Sequence, residues 1–400
     1  MRKSERYQIE VLDFLRSNGG ADKQALGVML RLSESTLSRL IRKMVDAQLV
    51  EVSETEPEGP GRPAQIFQVN RSLAYAIGVE LGTTTTRWAV INVAGDVLEH
   101  GEHPTKLPTT NAEFLKQLEG VVAIALDESR IPRDHISSVG VAVHGFIDRQ
   151  TQTCIFCTTM PGPRNVPVGS WLEERFGYPV VISDEGNSVA LVESRLGSMG
   201  DTSNFITVTH GKSIGTGIVV DHQLYTGESG MSGQLAHISV DSLGPRCVCG
   251  ARGCVEVVAS SQAITDYVSE SLEHNAITTI ALDDDPLDIE AIVRASEKGD
   301  RLCYQALNRA GEMIGVGIGT LIKVLSIQQV VMYGVLPRMP SVFVEAVRRS
   351  AKLSVLPLIE PDIRISSLPT HAVPQGAALF ALDRVFTSRA EELIHTAQKE

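Results

Sequence analysis

Two distant segments of this chain carry the same order of elements: an apolar strand, a loop of glycines and hydroxyl side chains, and a second strand. The first takes in residues 74–81, the loop Gly82-Thr83-Thr84-Thr85-Thr86, residues 87–93, the turn Ala94-Gly95-Asp96 and a third strand at 97–100. The second takes in residues 204–210, the loop Gly211-Lys212-Ser213-Ile214-Gly215-Thr216-Gly217, a strand at 217–221 and a short one at 224–225. Gly82 and Gly211 stand 129 residues apart. A duplication of strand, loop, strand and turn predicts two related α/β lobes facing a cleft. Backbone N–H groups in such loops can cradle phosphates, which singles out Gly82, Thr83 and Thr84 and, in the other half, Gly215, Thr216 and Gly217. Either loop alone is equally well an ordinary Gly/Thr hairpin, and the pairing carries the expectation.

The first residues have a different character. Residues 1–50 hold nine Lys/Arg against six Asp/Glu, and residues 51–400 hold twenty-seven against forty-two, within a net charge of −12. A basic head on an acidic body is what a DNA-reading module joined to another machine carries. Helical spacing predicts helices over residues 4–18, 22–30 and 33–47, with Asp22 and Ser33 as N-caps and Asn18-Gly19-Gly20 as a stop. In the third helix Leu37, Leu40, Ile41 and Met44 form one stripe, and Ser35, Ser38, Arg39, Arg42 and Lys43 lie outside it. Only Arg31-Leu32 separates the second and third helices, which is helix-turn-helix spacing. Short strands at 49–51 and 66–69 then flank a polar hairpin at 53–64, completing a winged helix. Within it Gly61-Arg62-Pro63 holds an arginine on a narrow ribbon suited to a minor groove. The third helix would read the major groove, with Ser35, Thr36, Ser38 and Arg39 nearest the bases, Arg42 and Lys43 on phosphates, and Ser33 at its start within the same DNA-binding set.

Hydrophobic residues at 43% and charged residues at 21% exclude a wholly disordered chain. No apolar signal segment follows the first residues, and six unevenly spaced cysteines fit a reducing cytoplasm. The most apolar stretch, 315–336, is interrupted by Lys323 and by Gln328-Gln329, so it reads as a buried helix followed by a strand and not as a membrane span. The expected domains are residues 1–72, a first lobe of 73–193 with about 376–400, and a second lobe of 194–375.

The strongest chemical signal is His237 followed by Cys247-Val248-Cys249-Gly250-Ala251-Arg252-Gly253-Cys254, which puts three of the six cysteines within eight residues. A His/Cys₃ set suits tetrahedral zinc, and no ligand position is obviously left open, so the role is structural. Cys154 and Cys157 form a second C-x-x-C, read with Cys303 as buried small residues. His144, His222, His371 and His395 have no motif around them and are read as surface or packing residues.

Gly233-Gln234-Leu235-Ala236-His237, with Cys247-x-Cys249-Gly250-x-x-Gly253-Cys254-x-Glu256, resembles the signature of the ROK family of sugar kinases and sugar-responsive repressors. The winged helix with its Gly-Arg-Pro wing resembles the NagC/Mlc-type repressor branch. The resemblance implies an actin/hexokinase-like (ribonuclease-H-like) two-lobe body and zinc at His237, Cys247, Cys249 and Cys254. It also implies a sugar in the inter-lobe cleft and a homo-oligomer, dimer or tetramer.

Carried over position by position, the resemblance implies an eroded kinase site. Glu80-Leu81-Gly82 stands where catalytic members have Asp-x-Gly. Glu185, in Asp184-Glu185-Gly186-Asn187, stands at the general-base aspartate. Gln234 replaces a glutamate that grips sugar hydroxyls, and Thr159 replaces an asparagine, while His237 and Glu256 are retained. Near the end, Gly334-Val335 replaces a Gly-Gly pair. The sugar-site residues implied are therefore Thr159, Asp184, Glu185, Gln234, His237 and Glu256. Each has a plainer reading: Asp184 and Glu185 as helix caps, Gln234 as a loop amide, and Glu256 paired with Arg252 at the surface. The expectation is a repressor of carbohydrate genes, bound to operator DNA and relieved by a sugar or sugar phosphate, with no catalytic residue. The alternatives are an active ATP-dependent sugar kinase with a DNA-binding head, or a zinc-stabilised interaction protein.

Overall fold

The computed structural model describes residues 3–54, 65–160, 162–280, 287–334 and 340–396. Helix α1 (Lys3–Ser17) ends at Gly19 and Gly20, both at positive φ. Asp22 caps α2 (Lys23–Leu30) as expected, its carboxylate accepting from the Ala25 amide at 2.7 Å. Helix α3 (Glu34–Asp46) buries Leu37, Leu40, Ile41 and Met44, the stripe read from the sequence. Ser33 sits at its N-cap position, but the hydroxyl meets those of Thr36 (2.9 Å) and Ser35 (3.3 Å) and not a backbone amide. Strands β1 (Ala21–Asp22), β2 (Val50–Glu54) and β3 (Gln65–Val69) form an antiparallel sheet in the order β1-β3-β2. Arg62 lies outside the described residues.

The duplication is visible in the two large sheets. The first joins β4 (Tyr75–Leu81), β5 (Thr85–Asn92), β6 (Val97–Pro104), β7 (Ile136–Val143) and β11 (Val180–Asp184) in the order β11-β7-β4-β5-β6. Between β7 and β11 a smaller sheet of β8 (Gly145–Asp148), β9 (Thr153–Cys157) and β10 (Arg164–Val166) is inserted. The second large sheet joins β12 (Phe205–His210), β13 (Ile214–Val220), β14 (Gln223–Leu224), β15 (Gln329–Gly334) and β16 (Asp362–Ile365) in the order β14-β13-β12-β15-β16. In both, the first three strands form an antiparallel meander and the last two add in parallel beside the first. Parallel additions require crossover connections, and these are helical. They are α4 (Asn111–Glu128), and in the second lobe α7 (Val255–Ala259), α8 (Ser261–Glu273), α9 (Ile289–Glu297), α10 (Arg301–Leu325) and α11 (Ser341–Leu353). Helix α5 (Val168–Phe176) precedes β11. The apolar stretch at 315–336 is the end of α10 followed by β15, and among the described residues no helix is long and apolar enough to cross a membrane.

Two helices tie the lobes together. Helix α6 (Glu185–Arg195) packs on β12 and β13 of the second sheet, and α12 (Ala372–Thr396) packs on β4, β5, β7 and β11 of the first and on α6. Small residues set their depth. A Cβ on Gly140 would lie 1.9 Å from the Ala377 carbonyl oxygen, and one on Gly78 would lie 1.8 Å from that of Pro374. The apolar core beneath α12 runs without interruption into the head, from Val189, Leu382 and Phe386 to Leu12, Leu15 and Leu26. The head is therefore packed on the body and not strung from it. Because backbone and not a flexible side chain blocks the site, Gly140→Ala should lower stability by about 1–3 kcal/mol or more. A melting temperature equal to that of the parent chain would contradict this packing.

Candidate functional site

The carboxyl ends of the parallel strands and the start of α6 converge on one cleft, the usual place for a site in an open α/β sheet. Glu80 ends β4 next to Leu81, His144 follows β7, Glu185 opens α6, and Ser213 lies in the β12–β13 turn. His144 is the hub. Its Nδ1 lies 2.9 Å from Glu185 Oε2 and 3.1 Å from Ser213 Oγ, and its Nε2 lies 3.3 Å from Glu80 Oε1. Nine-tenths of the side chain is buried. Burial alone would lower its pKa, but the charges and hydrogen bonds of Glu185 and Glu80 outweigh this and hold it at about 10. The group is an imidazolium at neutral pH. Glu80 also pairs with Arg87 at 3.4 Å, and Arg87 with Glu102 at 3.3 Å.

The site residues expected from the sequence fall around this hub. Asp184 is the N-cap of α6, accepting from the Asn187 amide at 2.8 Å, and burial raises its carboxyl. The capping role and the cleft position coexist, because the residue lines the same deep pocket of about 50 Å³ as Glu185, Gln234, His237 and Glu256. Glu256 is not at the surface with Arg252. Its Oε2 accepts from the Ile214 amide at 2.8 Å, and burial, reinforced by the Glu185 charge, raises its carboxyl to about 7. Gln234 is exposed at the pocket's mouth. Thr159 lines the adjoining cavity of about 780 Å³, with Thr83, Lys212 and Glu256. The hydroxyls of Thr159 and Thr216 are buried without a hydrogen-bond partner among the described residues. Buried polar atoms left open in a cleft suit a polar ligand.

One expected loop is different in the structure. Gly215, Thr216 and Gly217 lie inside strand β13, and the true turn is Gly211–Ser213 by position. The Gly215 and Gly217 amides donate to the hydroxyls of Thr209 and Thr207, both at 3.0 Å, so neither is free to cradle a phosphate. The glycines seat α6 instead: a Cβ on Gly217 would lie 2.4 Å from that of Ala190. Gly82, Thr83 and Thr84 do form the β4–β5 turn, and the Thr84 carbonyl accepts from the Thr105 amide, just past β6. His144, read from the sequence as a surface or packing residue, is buried at the centre of this charged cluster. Its signal was position, one residue past an apolar parallel strand that pairs with the one carrying Glu80. Arg149, which the sequence did not single out, lies 4.0 Å from Asp184.

Beside the pocket, His237, Cys247, Cys249 and Cys254 bring one ligand atom each to within 4.8 Å of one another. Nδ1 of His237 lies 3.5 Å from the Cys247 sulfur, and the Cys249 and Cys254 sulfurs are 3.6 Å apart. Four such atoms around a tetrahedral ion would be spaced about 3.3–3.8 Å, so the donors and their spacing fit a metal ion. Backbone bridges Ser239–Cys254 and Arg246–Arg252 hold the loop closed. A side chain at Gly253 would strike the Asp241 carbonyl oxygen at 1.6 Å. The His237 ring also stacks on Phe146 of β8 at 5.2 Å, joining this loop to the first lobe. Cys154 and Cys157 are buried on β9 and Cys303 is buried in α10, as expected.

Around the third helix, Ser33, Ser35, Arg39, Arg42 and Lys43 are exposed, and Thr36 and Ser38 are half-buried. The Ser38 hydroxyl donates to the Glu34 carbonyl at 2.6 Å, which leaves it less available to a partner.

Two lobes with one strand order, closing on a charged cleft, define an actin/hexokinase-like protein. Residues 76–384 match the model of the ROK family, and the chain belongs to that family. It is 25% identical over 373 residues to the xylose repressor of Caldicellulosiruptor bescii, with 92% of each chain covered. Its fold is similar to that of a crystal structure described as a ROK family transcriptional regulator, a homologue of the E. coli MLC protein, at TM-score 0.78 and 22% identity, over 99% of this chain and 100% of that one. A ROK hexokinase from Thermus thermophilus is similar at TM-score 0.64 and 25% identity, covering 78% of this chain and 99% of that one.

The charge on His144 has a consequence in solution. Its folded-state value of about 10 exceeds the ordinary 6.5, so its stabilisation is complete below pH 6.5 and is lost as pH rises through 10. The stability difference between the parent chain and His144→Gln should therefore shrink from pH 6.5 to pH 10 in urea melts. A difference that stays constant across that range would count against the imidazolium.

Proposed function

We propose that this chain is a sugar-responsive, DNA-binding transcriptional repressor whose kinase-type site no longer transfers phosphate. The observation that carries the reading is the pairing of Glu185 with His144. A general base must present a free oxygen to a sugar hydroxyl, and Glu185 Oε2 is instead engaged by His144 Nδ1 at 2.9 Å. What the cleft retains is recognition chemistry: the buried Thr159 and Thr216 hydroxyls, Asp184, Glu185, Gln234, His237 and Glu256. The similarity to a xylose repressor over nearly the full length supports the same reading.

In this reading residues 1–72 are a winged helix-turn-helix. Helix α3 enters the major groove, with Arg39 and Ser35 toward base edges and Arg42 and Lys43 on phosphates. Arg62 reaches the minor groove. One head offers few phosphate contacts, so useful affinity requires two heads on a two-fold operator and hence a homo-oligomer. Residues 73–193 with about 376–400 and residues 194–375 would be the two lobes. Zinc, held by His237, Cys247, Cys249 and Cys254, would supply structural cross-linking only. It would fix the loop that presents Gln234, His237 and Glu256 to the ligand. The sugar must favour one closure of the lobes over another, since a ligand without differential affinity switches nothing.

Arg39→Ala, at an exposed position, should weaken binding to duplex DNA from the chain's own upstream region by about tenfold or more while leaving thermal stability unchanged. Equal DNA affinity would remove α3 from the interface. Cys249→Ser should lower bound zinc measured by atomic emission and blunt the thermal shift produced by sugars; full response without metal would refute the structural role. The kinase alternative is decided by a coupled ATP-hydrolysis assay across pentoses, hexoses and amino sugars. No turnover is expected, and turnover with any of them would overturn the reading.

A further inference from the structure

Helix α6 has one end in the cleft and the other in a charged joint under the DNA-reading head. At its start, Glu185 is gripped by His144 and Asp184 lines the deep pocket. At its end, both terminal nitrogens of Arg195 bond the carboxylate of Asp383 on α12, at 2.8 and 2.6 Å. The same carboxylate takes a hydrogen bond from Arg16 of α1. Arg16 is 5% exposed, lies over the Phe386 ring at 4.6 Å and bonds Asp13 at 3.0 Å. Two arginines thus share one carboxylate, one from the body and one from the head. Bidentate arginine–carboxylate pairs fix orientation as well as proximity.

The shaft between these ends has no slack. Residues 186–193 are all buried. A Cβ on Gly186 would lie 2.3 Å from the Thr216 amide, and one on Gly376 would lie 2.1 Å from the Ser188 carbonyl oxygen. Eleven helical residues span about 16 Å, and close-packed interiors move such elements as units with discrete arrangements and do not absorb displacement.

We propose that α6 is a rigid connecting rod between the cleft and the head, with Arg195, Asp383 and Arg16 as positioning residues that convert a shift of Glu185 into a shift of α1. This rests on the reading that the cleft controls the head, and it names the parts that do so. Arg195 touches neither the cleft nor the DNA-facing surface of α3. Losing it should therefore uncouple the two functions without abolishing either.

The test is a double-mutant cycle read by hydrogen–deuterium exchange on the full chain, over α1 (residues 3–17), with no ligand added. Glu185→Gln, which frees the cleft end, should change α1 exchange several-fold. In an Arg195→Gln background the same substitution should change it no further. Arg195→Lys, which keeps the charge but not the fork, should restore only part of the coupling and serves as the background if Arg195→Gln does not fold. Equal effects of Glu185→Gln in the parent and both Arg195 backgrounds would overturn the rod, as would an α1 that ignores Glu185→Gln altogether. A second arm adds D-xylose and duplex DNA from the upstream region. The rod expects Arg195→Gln to bind DNA as tightly as the parent but to resist release by the sugar. Failure of the parent chain to bind DNA would sink the repressor reading and leave the exchange result standing.

Discussion

Gly186, Gly217 and Gly376 let α6 approach β13 and α12 so closely that backbone meets backbone, and the rest of the molecule is arranged about that contact. A helix seated this way cannot slide against one sheet independently of the other. It therefore places Asp184 and Glu185 in the cleft and carries Arg195 out to the head. The glycines that resemble a phosphate loop in the sequence have become a helix seat, and the amides that a nucleotide would need are spent on Thr207 and Thr209.

The electrostatics of the cleft follow from the same geometry. Three glutamates, Glu80, Glu185 and Glu256, meet in one largely buried site, an arrangement that would be strongly self-repelling without compensation. His144 supplies the compensating charge between two of them, and Glu256 responds to burial with a carboxyl raised to about 7. The longer glutamates at 80 and 185, where the resemblance leads one to expect aspartates, are the side chains that reach the imidazole. The substitutions that look like decay in the sequence are thus parts of one ionic cluster. It ties the first lobe to the second through Ser213.

Much of this was legible in advance. The two related lobes followed from the repeated strand–loop–strand units, whereas the order of the added parallel strands did not. The convergence of His237 with Cys247, Cys249 and Cys254 followed from their spacing, and the inner stripe of α3 from helical spacing. Position 144 was not legible, because a single histidine after an apolar strand carries no periodicity. Only the parallel pairing of β7 with β4 sets it beside Glu80. The seating of the head was hidden for a similar reason. Arg16, Arg195 and Asp383 are ordinary charged residues hundreds of positions apart at the extremes, and the chain gives no local sign that they meet. Glu256 was the reverse case: Arg252 lay close in sequence, but the amide of Ile214, at the start of β13, captured it.

The central claim is that sugar in the cleft and DNA on the head are coupled through one folded unit. Coupling of that kind is reciprocal, so each ligand must change the affinity for the other by the same factor. The direct measurement is the affinity of the full chain for a sugar identified by thermal shift, made by calorimetry with and without saturating upstream duplex, beside DNA anisotropy with and without that sugar. The account predicts that each ligand weakens the other by the same factor, on the order of 5–150-fold. Tight binding of both ligands with a factor of one would contradict it.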